Sequence, residues 1–207
     1  DGFRRLPGAW RGAMRAMEAL RAEGIDFSIH TNVTSWNVEE IPAMIHLAGS
    51  LGAKVLLLFF LVRTGRGQNI IDIASDMYER VLTYLARVQG VGDGKRASTQ
   101  VDSGFYRQDD LWSVTSGRAN GLLIRTRCAP HFRRIIYGLD PQSPLLRDYA
   151  QGSCPAGRYY CRITPSGDVT PCPYMPVAVG NLRQRAFSAI WQDASVFNDL
   201  RSAKLGG

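Results

Sequence analysis

The sequence predicts an α/β layer followed by a small, loop-rich module, and three observations carry that expectation. Helical and strand periodicities alternate through residues 7–127. The strands among them are apolar and end in polar residues, the pattern of a parallel sheet. Beyond residue 138, Pro, Ser and Gly punctuate the chain, and three of its four cysteines fall between positions 154 and 172. The expected division is residues 1–138 for the layer and 139–207 for the module.

Pro7 opens a helix reaching about Glu23, with Trp10, Ala13, Met14, Met17 and Leu20 as a core-facing stripe, and Gly24 ends it. Residues 27–33 alternate and then turn polar, a parallel strand whose end carries His30, Thr31, Asn32 and Thr34. Functional groups of α/β folds gather at such ends, so Thr31, Asn32 and Thr34 are candidate ligand contacts; the competing reading is turn and cap residues. Asn37 with Glu40 reads as a capping box for a helix reaching Leu51. Pro42 is awkward inside it, and His46 faces outward as a structural residue.

Residues 54–62 are a continuous apolar run, predicting a strand covered on both faces. In the loop that follows, Arg63-Thr64-Gly65-Arg66-Gly67, glycines permit close approach of a ligand and Arg63 and Arg66 offer carboxylate donors. Ser75 caps a third helix to about Gln89, with Met77, Val81, Tyr84, Leu85 and Val88 inside. Residues 90–121 lack periodicity and read as a lid or a disordered stretch. Residues 122–127 predict another strand, with Cys128 at its end and His131 just beyond. Either side chain could give a proton or a hydrogen atom to a substrate, or both could be structural.

In the module, residues 159–164 and 169–170 read as the arms of a hairpin about Pro165-Ser166-Gly167-Asp168. With Ser166 and Gly167 as the two turn residues, Cys161 falls directly opposite Cys172, their Cβ atoms roughly 4.5–5.5 Å apart. Cys154 enters from the preceding loop. Three sulfurs converging there could form a disulfide, a zinc site or an iron–sulfur cluster. A disulfide needs an oxidising compartment. Zinc favours closer pairs such as C-x2-C, although Cys128 or His131 could complete four ligands. A cluster needs only thiolates and tolerates varied spacing. Spacing leaves all three open.

Read as a whole, residues 154–200 resemble the opening of a SPASM domain, the auxiliary-cluster module of many radical S-adenosylmethionine (SAM) enzymes. The family motif is a Cys, nine to fifteen residues, a Gly, four residues and a Cys. Cys154, Gly167 and Cys172 match it, and Cys161 matches an additional ligand that many members carry between them. The continuation through Cys172-Pro173-Tyr174, Val179-Gly180-Asn181-Leu182 and Phe187-Ser188-Ala189-Ile190-Trp191 agrees. Upstream, Asp1-Gly2-Phe3-Arg4, the run His30-Thr31-Asn32-Val33-Thr34-Ser35-Trp36-Asn37 and Cys128-Ala129-Pro130-His131 resemble the radical SAM barrel of the haem-d1 and alternative haem biosynthesis subgroup.

The resemblance implies the second half of a radical SAM partial (β/α) barrel followed by the start of a SPASM module. It implies an auxiliary [4Fe–4S] cluster on Cys154, Cys161 and Cys172, with further ligands after residue 207. The radical-generating [4Fe–4S] cluster and its CxxxCxxC loop would precede residue 1. Thr31, Asn32 and Thr34 would contact SAM, and Phe60, Leu61 and Val62 would lie beside its adenine. Arg63 and Arg66 would meet propionates of a tetrapyrrole, with Cys128 and His131 as further substrate contacts. The parent enzyme would make a 5′-deoxyadenosyl radical, with ferredoxin or flavodoxin as electron donor; residues 1–207 alone would be inert. The rival readings are a peptide-maturing enzyme of the same family and a non-catalytic metal-binding interaction module.

Composition sets the outer limits. Hydrophobic residues make up 45% of the chain, enough to bury a core. The formal charge of +7 comes mostly from arginine and is scattered, without the dense basic block or aromatic interleaving expected of a nucleic-acid binder. The longest apolar run, 55–62, is far short of the ~20 residues of a membrane helix. No signal peptide opens the chain, so the expected setting is the cytoplasm, where thiols stay reduced.

Overall fold

Three parallel strands, β1 (Ser28–Val33), β2 (Val55–Phe60) and β3 (Leu123–Arg127), lie side by side in chain order in a computed structural model. It describes residues 1–2, 4–69, 72–92, 121–149 and 154–202, without the side chains of 66, 69, 148 and 149. Phe3 and most of the expected lid (93–120) lie outside the described residues, as does the side chain of Arg66. Register pairs Asn32 with Phe59 and Phe59 with Arg127, so Thr34, Leu61 and Cys128 share one edge of the sheet, at the C-terminal ends of its strands.

Helices α1 (Ala9–Ala22), α2 (Ile41–Ser50), α3 (Ser75–Val88) and α4 (Phe132–Leu139) alternate with the strands. The core joins β2 (Leu56, Leu58, Phe60) to α2 (Ile41, Ile45, Ala48), α3 (Val81, Leu82, Leu85) and α4 (Phe132, Ile135, Ile136). The apolar run of β2 is not equally covered on both faces. Leu56, Leu58 and Phe60 are buried, while Val55, Leu57 and Phe59 are half-buried, because the strand alternates its side chains across the sheet.

Helix α1 departs further from expectation. Its stripe was read as core, yet none of its residues is buried, and Trp10 is 58% exposed. Its first turn is held by Asp1, whose carboxylate accepts from the Gly8 N–H at 2.8 Å and the Trp10 N–H at 2.7 Å. The capping-box reading of Asn37 also fails. A 3₁₀ turn (Val38–Glu40) precedes α2, so Pro42 sits in the first helical turn, where its missing N–H costs nothing. Asn37 instead braces the exit of β1, accepting from the Thr34 N–H at 2.9 Å and donating to the Asn32 carbonyl at 2.8 Å. Ser75 is the first residue of α3 rather than its cap, a position that falls to Ala74.

The second unit is a three-stranded antiparallel sheet of β4 (Arg162–Ile163), β5 (Asp168–Thr170) and β6 (Gly180–Asn181), followed by α5 (Phe187–Asp193) and α6 (Ser195–Ser202). Its core is small: Val169, Ile190 and Phe197, with Cys161, Val179, Trp191 and Ala194 packed on it. Arg201 ties α6 to the loop after Cys154. Its guanidinium donates to the Gly157 carbonyl at 3.1 Å and the Trp191 carbonyl at 2.6 Å, and it lies 4.6 Å from the centre of the Trp191 ring. Gly157, at φ +70, has no room for a Cβ, which would meet Leu200 Cδ1 at 2.7 Å.

Candidate metal centre

The hairpin is built by a polar turn rather than by apolar pairing. The Thr164 N–H donates to the Asp168 carbonyl at 2.9 Å, closing a loop of three residues, Pro165, Ser166 and Gly167, with Gly167 at φ +90. The Asp168 carboxylate accepts from Ser166 Oγ at 2.7 Å and Asn181 Nδ2 at 2.8 Å, and these bonds hold its carboxyl below the ordinary range. Arg183 Nε donates to the Ser166 carbonyl at 3.2 Å from outside.

This loop corrects the expected register. Three turn residues instead of two shift the pairing by one, so Ile163 faces Val169 and Arg162 faces Thr170. Continued outward, that register sets Cys161 opposite Pro171 rather than Cys172. A one-residue slip exchanges faces. Cys161 accordingly packs on the cluster of Val169, Ile190 and Phe197, and burial alone raises its thiol pKa.

The other three thiols keep different company. Cys128, Cys154 and Cys172 lie close enough for charge on Cys154 and Cys172 to act on Cys128; burial raises the Cys128 thiol pKa first, those two sulfurs raise it further, and Arg127 opposes them. Tyr160 stands beside the same three sulfurs, its hydroxyl pushed up to about 12 by burial and by their charge. Tyr174 feels Cys128 and Cys172. Cys128 follows β3 directly, with a left-handed backbone at φ +59 that a non-glycine residue adopts at a cost. All four cysteines are free thiols, and Cys128 and Cys154 are exposed.

Among the described residues no three His, Cys, Asp or Glu side chains form a group that could hold a single metal ion. An iron–sulfur cluster is wider than one ion and spreads its thiolates over a larger volume. Thiolates alone are the donor set such a cluster takes.

The remaining candidates sort by position. Thr31 Oγ1 donates weakly to the Met44 sulfur at 3.8 Å. Asn32 is exposed, and buried Thr34 braces the loop to Asn37. Phe60 is buried and packs against Tyr78 with ring centres 5.4 Å apart, while Leu61 and Val62 are half-buried. Arg63 is exposed and donates to the Gln68 carbonyl of its own loop at 3.3 Å. His131 stands edge-on to Tyr78 at 5.4 Å, and burial lowers its pKa. Tyr78 donates to Asp72 Oδ1 at 3.0 Å, and burial with the neighbouring Asp72 charge raises its hydroxyl pKa. Sequence reading missed Tyr78 and Asp72, which no local motif marks, and gave Tyr160 and Tyr174 a place in the strand and the motif but no role at the site.

Residues 154–206 match the SPASM family, described as an iron–sulfur cluster-binding domain. Nearly the whole chain is similar to longer curated proteins. It is 30% identical to the AdoMet-dependent heme synthase of Methanosarcina barkeri, over 97% of this chain and 52% of that protein. It is 24% identical to the pre-heme d1 synthase of Dinoroseobacter shibae, over 92% of this chain and 45% of that protein. It is 28% identical to the mycofactocin maturase MftC of Mycobacterium ulcerans, over 97% and 46% respectively. The chain thus spans about half the length of the curated relatives it matches. A segment matching the SPASM family thus follows a parallel α/β sheet, in a chain similar along nearly its whole length to these proteins.

Proposed function

We propose that this chain is part of a radical SAM/SPASM enzyme acting on a propionate-bearing tetrapyrrole, with Cys154, Cys161 and Cys172 as ligands of an auxiliary [4Fe–4S] cluster. The observation that carries the substrate reading is the likeness to the heme synthases, over almost all of the chain rather than the module alone. SAM and its own cluster, when bound in the whole protein, supply the hydrogen-abstracting chemistry.

The residues here supply binding and orientation. The three parallel strands act as the second half of the partial barrel. Thr31, Asn32 and Thr34 at the end of β1, with Phe60, Leu61 and Val62 at the end of β2, would be the residues that hold SAM. Buried Phe60 contributes through its backbone and by fixing Tyr78. Arg63 and Arg66 follow β2 and offer guanidinium donors to carboxylates. His131 is kept neutral by burial and can pass a proton near the edge it shares with Cys128. A small acidic carrier such as ferredoxin or flavodoxin delivers electrons to the net basic chain. No described helix is long and apolar enough to cross a membrane; reduced thiols suit a cytoplasmic setting.

The test is turnover by the reconstituted full-length protein. SAM cleavage to 5′-deoxyadenosine that depends on an iron porphyrin with propionates, with loss of carboxylate from it, supports the reading. Cleavage that depends instead on a peptide favours the second reading, peptide maturation, which rests on the mycofactocin maturases. Residues 1–207 alone are expected to form no 5′-deoxyadenosine.

A further inference from the structure

The sheet layer has two faces of different kinds. Leu56, Leu58 and Ile124 are buried on one, in the core they share with α2, α3 and α4. Thr31 belongs to this side, its hydroxyl donating to the Met44 sulfur of α2 at 3.8 Å. Alternate side chains stand on the opposite face. Register sets them in two rows across the strands, His30–Leu57–Arg125 and Asn32–Phe59–Arg127. His30 and Phe59 meet there, with ring centres 5.7 Å apart.

Both rows run from polar through apolar to basic. Leu57 and Phe59 lie on the central strand and are only half-buried, where apolar side chains are ordinarily covered. Arg125 is half-buried and Arg127 exposed, two residues and roughly 6.7 Å apart along β3. Neither row holds a carboxylate. Among the described residues Arg127 has no acidic partner, and its Nη1 donates to the Thr126 carbonyl of its own strand at 3.2 Å. The face of a sheet presents side chains and no free backbone groups, so it suits a flat ring. An extended peptide adds at a sheet edge instead.

We infer that this face is a substrate platform: the flat body of a ring lies on Leu57 and Phe59, and Arg127, with Arg125 beside it, takes a carboxylate on the rim. The inference rests on the tetrapyrrole reading above and deepens it by naming the residues that would select an acidic ring. No sequence motif points to these two arginines. Arg63, by contrast, lies in the loop beyond β2 and donates to the Gln68 carbonyl. His30 and Asn32 bound the platform on the side away from the arginines.

The test measures binding rather than turnover. Full-length protein, reconstituted with its clusters, is titrated with an iron porphyrin carrying two propionates and, separately, with the dimethyl ester of that porphyrin. Porphyrin absorbance follows each titration. Arg127→Ala should weaken binding of the acid about ten- to a hundred-fold and leave binding of the ester unchanged. Arg127→Lys keeps the charge but not the paired donors and should fall between. Phe59→Ala should weaken acid and ester alike. Arg127→Gln stands in if Arg127→Ala does not keep the wild-type iron content. The Arg127 assignment is overturned, and the tetrapyrrole reading stands, if the wild type binds the acid saturably while folded Arg127 variants bind it as tightly. It is equally overturned if they lose acid and ester to the same extent. Unchanged affinity of Phe59→Ala for both porphyrins overturns the platform. If the wild type binds neither porphyrin saturably, the tetrapyrrole reading fails and the inference with it.

Discussion

Among the described residues, twenty-three buried apolar side chains knit the sheet layer into one core, whereas the core cluster of the module has three, Val169, Ile190 and Phe197. A core of three side chains offsets little of the entropy of ordering a chain, and small units often rely on metal or covalent staples. The module compensates with polar devices: the Asp168 turn and the Arg201 clamp on Gly157 and Trp191. The two units should therefore fail differently. The layer should respond to lost packing and the module to lost ligands or a broken turn.

The sharpest break is at the thiols. In the full-length protein, Cys154→Ser or Cys172→Ser is expected to remove the auxiliary cluster, about four irons per chain, and leave the radical-generating cluster in place. Cys161→Ala should retain more of that iron than either, because its sulfur packs on the small core on the other side of the ribbon. Equal loss in all three, by iron and sulfide analysis, would mean that the ribbon changes register on loading.

In the layer, Phe132→Ala removes a fully buried ring between α4 and the core and should cost about 3–5 kcal/mol in denaturant unfolding. The iron content of the folded fraction should not change. A variant that loses iron while folded would show that the units are not separable.

A smaller effect is expected at Gly157. An added methyl would meet Leu200 and Phe197 and would sit on a left-handed backbone, so Gly157→Ala should cost about 1–3 kcal/mol. The loss should be confined to the module, as seen in its thermal transition. Smallest is the turn. Hydrogen bonds depress the Asp168 carboxyl pKa in the folded state, so their support is complete above the ordinary carboxylate range and is lost as pH falls through the lowered value. Asp168→Asn should flatten that acid limb, measured by amide exchange in residues 162–170. An unchanged limb would contradict the role given to the carboxylate.

Much of the layer was legible because its signals are local. The alternation in β1, the apolar run of β2 and the periodic face of α3 name themselves. Helix α4 was not among the expected elements, although Phe132, Ile135 and Ile136 recur at helical spacing. The cysteines were legible as a motif but not as a geometry. Pro165-Ser166-Gly167-Asp168 suits a two-residue or a three-residue loop equally well, and that single residue decides which face Cys161 occupies. Cys128 could be named only as a possible fourth zinc ligand or a substrate contact, because twenty-six positions separate it from Cys154 and spacing sets no distance between them.

The central claim is that the module is held by its cluster while the layer is held by its core. Hydrogen exchange of the full-length protein before and after iron removal tests it directly. The expected result is protection lost across residues 154–202 and retained in β2 and α3. Protection unchanged in residues 154–202 after the iron is gone would contradict it.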